Sequence, residues 1–260
     1  MSVARIAPVA RFLFALAILA FGIQHLLYGE FVTRVVPKLP AWIPWHAFWA
    51  YATGLILITA GAAILLQKRA RLAAELLGAL ILLSVLAFYL PPLLVTPILG
   101  PLWTNAGKAL ALSGGAFLVA GSLPPTDTGW RVFRFLDRLI PPAPFFLSAF
   151  LIIAGIQHFL YATFVATLVP SWIPGHLFWT YFAGIALIAG GLGMLIPKVK
   201  VPAALLSGIM ILLWVVLLHI PRAISAPHDS NETTAVFEAL AISATAFLVG
   251  RSSISSDHVP

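Results

Sequence analysis

Ionisable side chains are scarce in this sequence, and in its second half they gather near the ends of apolar runs: His158, His176, His219, Arg222, His228, Asp229, Glu232 and Glu238. A histidine can donate, accept or shuttle a proton near neutral pH. An arginine offers a fixed cation to a carboxylate, a phosphate headgroup or a quinone oxygen. The set that suits a ligand site is His158, His176, His219, Arg222 and Glu238, with Trp179, Tyr181 and Trp214 as aromatic walls. His25, His46, Trp49 and Tyr51 are the first-half equivalents, and Gln24 and Gln157 stand beside the first histidine of each half. The same residues support a structural reading, in which each repeated histidine donates to a loop carbonyl and ties a Trp-Pro cap to its helix. Retention of the motif in both halves favours that reading for His25 and His46; for His219 with Arg222 both readings stand.

Other chemistries are excluded or disfavoured. The chain has no cysteine, which removes disulfides, thiolate catalysis and thiolate metal sites. No two histidines stand at i, i+3 or i, i+4, and no carboxylate-histidine motif lies on one helix, so no metal is assigned and bis-histidine haem is disfavoured. Any redox role must borrow a cofactor or a partner protein, and no catalytic residue is assigned.

The elements that position these residues come in duplicate. Gly22, Gln24, His25, Tyr28, Phe31 and Pro37 return 133 positions later as Gly155, Gln157, His158, Tyr161, Phe164 and Pro170. From Trp42 onward the offset is 130, so Ile43, Pro44, His46, Phe48, Trp49, Tyr51 and Gly54 return as Ile173, Pro174, His176, Phe178, Trp179, Tyr181 and Gly184. A length change confined to a Pro-rich loop marks an internal duplication. Lys108 and Glu238 share one column of it, and opposite charges there can meet across an axis between the halves; alternatively, Lys108 snorkels outward and Glu238 sits near the positive end of its own helix.

Composition sets the solvent. With 61% hydrophobic and 9% charged residues, the chain has too little polar surface for a water-soluble globule. Continuous apolar runs of spanning length lie at 12–28, 47–66, 72–90, 105–121, 145–161, 177–196, 203–220 and 233–250. The expected fold is an all-α integral membrane protein: eight transmembrane helices in two parallel four-helix repeats, related by a pseudo-two-fold along the membrane normal. The repeats occupy 1–122 and 145–251, joined by an amphipathic linker at 123–144 and followed by a polar tail at 252–260. The first apolar run follows Arg5 and Arg11 as a signal peptide would, but it carries the duplicated Gln24-His25 element and is expected to be retained.

Arg5, Arg11, Lys68, Arg69, Arg71, Arg131, Arg134, Arg138, Lys198, Lys200 and Arg251 fall at both termini and at alternate loops; the other side has only Arg34, Lys38, Lys108 and Arg222. The positive-inside rule puts both termini in the cytoplasm and the His-Trp-Pro loops outside. Within the linker, Arg131, Arg134 and Arg138 form one face of a helix expected to lie on anionic lipid. Basic residues dispersed through loops argue against nucleic-acid binding. The Phe31 to Trp45 segment and its copy at Phe164 to Gly175 are too rich in proline for a continuous helix, and Pro91 to Pro101 reads as an outer loop.

The pattern Gly155-x-x-His158-Phe159, then Phe164, Val169-Pro170, Ile173-Pro174, a Gly-rich second helix and the basic turn at Lys198 to Lys200 resembles the DoxX-like membrane proteins. The likeness covers both halves and is closer in the second, because Leu26 replaces the Phe in the first. It implies four-helix units in the bacterial cytoplasmic membrane, some associated with sulfur or quinone oxidoreductases. The expected function is an accessory, non-catalytic subunit that binds a quinone or lipid-like ligand in an outward-facing His/Arg/Trp pocket and serves a redox partner. The alternatives are a structural or assembly protein without a ligand, and a small-metabolite transporter.

Overall fold

A computed structural model describes residues 6–32, 39–96, 98–125 and 131–252. Arg5, Arg34, Lys38, Trp130 and the tail at 253–260 lie outside the described residues. All regular elements among those described are helical: α1 (Ile6–Tyr28), α2 (His46–Leu65), α3 (Ala70–Val95), α4 (Pro101–Gly121), α5 (Arg131–Asp137), α6 (Ala143–Leu160), α7 (Ala162–Ala166), α8 (His176–Leu195), α9 (Lys200–Ser225) and α10 (Ser230–Ser252). Seven of them, α1, α2, α3, α6, α8, α9 and α10, are long and apolar enough to cross a membrane, which is consistent with a membrane location.

The long helix below that threshold, α4, is largely enclosed by protein. Ala109, Ala111, Leu112, Ser113, Ala116, Phe117, Val119 and Ala120 in it are all wholly buried. Helix α10 is similarly enclosed through Ala241, Ser243, Ala244, Thr245, Ala246 and Val249. These two helices touch each other at the centre, α1 packs on α10, and α6 packs on α4. A helix enclosed by protein over most of its length is shielded there from an apolar solvent and can carry Lys108, Ser113, Glu238 and Ser243. The peripheral helices show the reverse, exposing Leu27, Leu94, Leu206 and Ile224. An apolar surface of that kind is stable only against another apolar phase.

Glycine sets the closest helix contacts. A Cβ on Gly22 of α1 would lie 2.7 Å from the Gly54 carbonyl oxygen of α2, and one on Gly155 of α6 would lie 2.7 Å from the Gly184 oxygen of α8. Backbones approach this closely only where side chains are absent. Replacing Gly155 by Ala forces the helices apart and is expected to lower stability by about 1–3 kcal/mol. Thermal unfolding in detergent measures this, and an unchanged midpoint would mean that the pair has slack the geometry does not show.

Helices α3 and α9 each contain one π turn, at Val85–Tyr89 and Val215–His219. Proline explains both. Pro91 and Pro221 lack an N–H and would clash with the carbonyls four residues earlier, at Ala87 and Leu217. A wider turn moves those carbonyls aside and lets the helix continue. This corrects two expectations from the sequence: α3 runs on to Val95 instead of giving way to a loop at Pro91, and α9 continues past residue 220, the end of its apolar run, to Ser225. The Trp-Pro loops enter α2 and α8 through one left-handed residue each, Trp45 (φ 59°) and Gly175 (φ 74°). Glycine takes this conformation freely, whereas tryptophan adopts it under strain.

The linker helix α5 docks through buried Leu136 and through Asp137, which pairs with Arg71 of α3. Arg131, Arg134 and Arg138 are exposed.

Candidate functional site

Two equivalent histidines meet different surroundings. His25, near the end of α1, is wholly buried. Its Nδ1 lies 2.7 Å from the Phe21 carbonyl oxygen, and its Nε2 accepts from the Val32 N–H at 3.3 Å. A carbonyl only accepts, so Nδ1 carries the proton and Nε2 the lone pair. Both nitrogens are used in tying the loop to α1, with Phe31 edge-on at 5.9 Å.

His158, its counterpart on α6, is anchored in the same way through Nδ1, 2.7 Å from the Ala154 oxygen. Its other nitrogen differs. Val165 stands where Val32 does in the first half, but its N–H is held inside the loop by the Tyr161 oxygen at 2.9 Å, around the start of α7. Among the described residues the His158 Nε2 has no hydrogen-bond partner. The ring is half-buried and stacks on the Trp214 indole, with centroids 6.4 Å apart and planes at 24°. The first half has Ser84 in place of Trp214, and its hydroxyl donates to the Ile81 oxygen of its own helix. This corner thus presents an aromatic wall and an imidazole lone pair.

The other aromatic residues lie nearer the surface. Tyr181 stacks on Phe159 at 5.6 Å, and Trp179 meets Phe178 and Phe182 edge-on. Trp179, Tyr181, Trp49 and Tyr51 are all exposed, and Trp49 packs edge-on against Phe48. His46 Nε2 lies 3.1 Å from the Pro40 oxygen across its loop, and His176 is half-buried at the first turn of α8.

The charged candidates are paired with one another. Arg222 grips both oxygens of Glu232, its Nε lying 3.0 Å from Oε2. That bidentate pair neutralises the cation that the sequence had offered to a ligand. Lys108 Nζ lies 2.9 Å from Glu238 Oε2 where α4 meets α10, with the side chains 14% and 6% exposed. Tyr89, at the end of the α3 π turn, is buried within electrostatic reach of Glu238. His219 occupies the equivalent place in α9 and is half-buried.

Hydroxyl groups also join the seam, and sequence reasoning passed over them. Thr104 donates to Gln157 Oε1 at 2.8 Å, and Gln157 Nε2 donates to the Leu99 and Gly100 oxygens at 2.9 and 3.0 Å. Thr234 meets Gln24 Oε1 at 3.2 Å. Thr104 and Thr234 stand one repeat apart, a signal present in the sequence.

The structure therefore brings His158 to Trp214 and Lys108 to Glu238, while Tyr181 turns to Phe159 and Arg222 to Glu232. No group of three potential metal ligands occurs among the described residues. Comparison with known proteins found one family model, described as a domain of unknown function (DUF8561), that is similar to residues 147–250. No curated protein and no solved structure matches the chain. The likeness covers a stretch that includes His158, Trp214 and Glu238.

Proposed function

We propose that this chain is an eight-span membrane protein built from two like-oriented DoxX-like repeats, and that its second repeat binds a quinone or lipid-like ligand beside His158 and Trp214. Both termini face the cytoplasm in this reading. The ligand lies toward the outer leaflet, and the protein acts as an accessory subunit that presents it to a redox partner. The observation that carries the proposal is the contrast between the equivalent histidines: the His25 Nε2 is capped by the Val32 N–H, whereas the His158 Nε2 keeps its lone pair in the plane of a ring stacked on the Trp214 indole. In neutral form that nitrogen accepts from a ligand hydroxyl, such as that of a quinol; protonated, it donates to a quinone oxygen. The aromatic wall suits a flat ring.

A short-chain ubiquinone titrated into the purified protein tests this. Replacing His158 by Ala should weaken retention about tenfold, the value of a hydrogen bond to a buried polar group. Trp214→Leu should weaken it comparably, and His46→Ala, at an exposed loop histidine, should leave it within about twofold. Equal retention by wild type and His158→Ala, with both folded, would remove the site. The structural reading draws support from the internal pairing of Arg222 with Glu232 and of Lys108 with Glu238; it predicts that no quinone is retained by any of these proteins.

A further inference from the structure

Three arginines from three helices converge on the C-terminal end of α4. Arg71 of α3 donates through Nη1 to the Ala120 and Leu123 oxygens at 3.2 and 2.9 Å. Arg11 of α1 donates through Nη1 to the Ser122 oxygen at 3.1 Å and to the Ser122 hydroxyl at 3.3 Å. Arg251, in the last turn of α10, donates through Nη1 to the same Ser122 oxygen at 2.9 Å.

Negative charge at this end is unevenly shared. Glu75 lies 2.8 Å from Arg71 Nε, and Asp137 pairs with the same guanidinium. Both carboxylates are thus spent on one cation. Arg11 and Arg251 have no carboxylate within ion-pair distance among the described residues, although they lie within electrostatic reach of each other. What they share is one carbonyl and the helix end behind it, equivalent to about half a negative charge. Two like unit charges held together by so little opposite charge leave an uncompensated positive centre. The Arg11 Nε is also buried with no hydrogen-bond partner. A guanidinium that uses one edge on a carbonyl can offer its other donors to an oxyanion.

We infer that Arg11 and Arg251 form a binding site for a phosphate oxyanion, occupied by the headgroup of an anionic phospholipid seated between the two halves of the chain. The two arginines approach from α1 and α10, which belong to different halves, so one phosphate would bridge them. Arg251 lies in the last turn of α10 and Arg11 in the second turn of α1, close to the level at which a bilayer places its phosphates. Exposed Arg131 and Arg134 on the docked linker helix add attraction for anionic lipid without forming the site. The inference is independent of the His158 pocket.

The full chain, purified in a neutral detergent, is titrated with phosphatidylglycerol or phosphatidylcholine, and bound lipid is counted by native mass spectrometry. One phosphatidylglycerol should be held in preference to phosphatidylcholine. R11Q and R251Q should each weaken its retention about tenfold, and the double variant more, whereas R134Q should leave it within about twofold. Phosphatidylglycerol should raise the melting temperature of the wild type but not of the double variant. R251Q, in a terminal turn, serves if R11Q folds poorly. Inorganic phosphate at millimolar concentration distinguishes the sources. If it displaces the lipid and raises the melting temperature equally, the oxyanion site stands with free phosphate as an occupant; if it does neither, the lipid is the occupant. Equal phosphatidylglycerol retention by wild type and the double variant, or phosphatidylcholine held as tightly, overturns the inference.

Discussion

Glu238→Gln should destabilise the protein by about 3–5 kcal/mol, because it removes the carboxylate charge beside the Lys108 ammonium in a largely dry seam. The pair lies between α4 and α10, the two helices most enclosed by protein, and Nζ to Oε2 is 2.9 Å. At such a place desolvation is expensive for either ion alone, and the partner's charge offsets it only while both are present. Lys108→Met should therefore cost a similar amount. Replacing both residues by methionine removes both desolvation penalties and should recover most of the loss. A charge exchange, Lys108→Glu with Glu238→Lys, should also recover part of it if the pair acts mainly through its mutual attraction. Unfolding in a denaturing detergent series gives all four values. Strictly additive losses in the doubles would show that the two side chains act separately.

The second large effect is expected at Arg71. Its guanidinium holds Glu75, which is 3% exposed, and reaches the carbonyls of Ala120 and Leu123 as well as Asp137 on the linker helix. Arg71→Ala leaves Glu75 without its cation and frees the linker helix of its ionic tether. A loss of about 3–5 kcal/mol is expected, as for other buried pairs broken from one side. The linker supplies a second readout. Its exposed Arg131, Arg134 and Arg138 are trypsin sites, and cleavage there should accelerate in Arg71→Ala and, more weakly, in Asp137→Asn. Unchanged cleavage in Arg71→Ala would show that Leu136 packing alone holds the linker.

Several features could be read directly from residue order. The duplication puts His25 and His158, Gln24 and Gln157, and Lys108 and Glu238 in shared columns, and the contacts each makes with its own or the neighbouring helix repeat in part. Both histidines bond the carbonyl four residues back at 2.7 Å, and Ser113 and Ser243 bond Gly78 and Gly208 at 2.8 Å. These are short-range contacts within a helix or between neighbouring helices, so equivalent sequence produces equivalent geometry. The π turns were not legible. Proline at 91 and 221 predicts a helix end by the rule that it breaks one, and that rule omits the alternative of widening the turn.

The sequence alone determined that the chain is helical, apolar enough for a bilayer and internally repeated, since hydropathy and periodicity are properties of neighbouring residues. How otherwise similar polar groups differ is set by the packing of the helices. Val32 caps His25, whereas the loop around α7 withholds Val165 from His158; Glu232 takes Arg222; Glu75 and Asp137 both go to Arg71 and leave Arg11 with Arg251. The physical reason is that a hydrogen bond or ion pair depends on a few ångströms between groups far apart in the chain, and helix packing sets that distance.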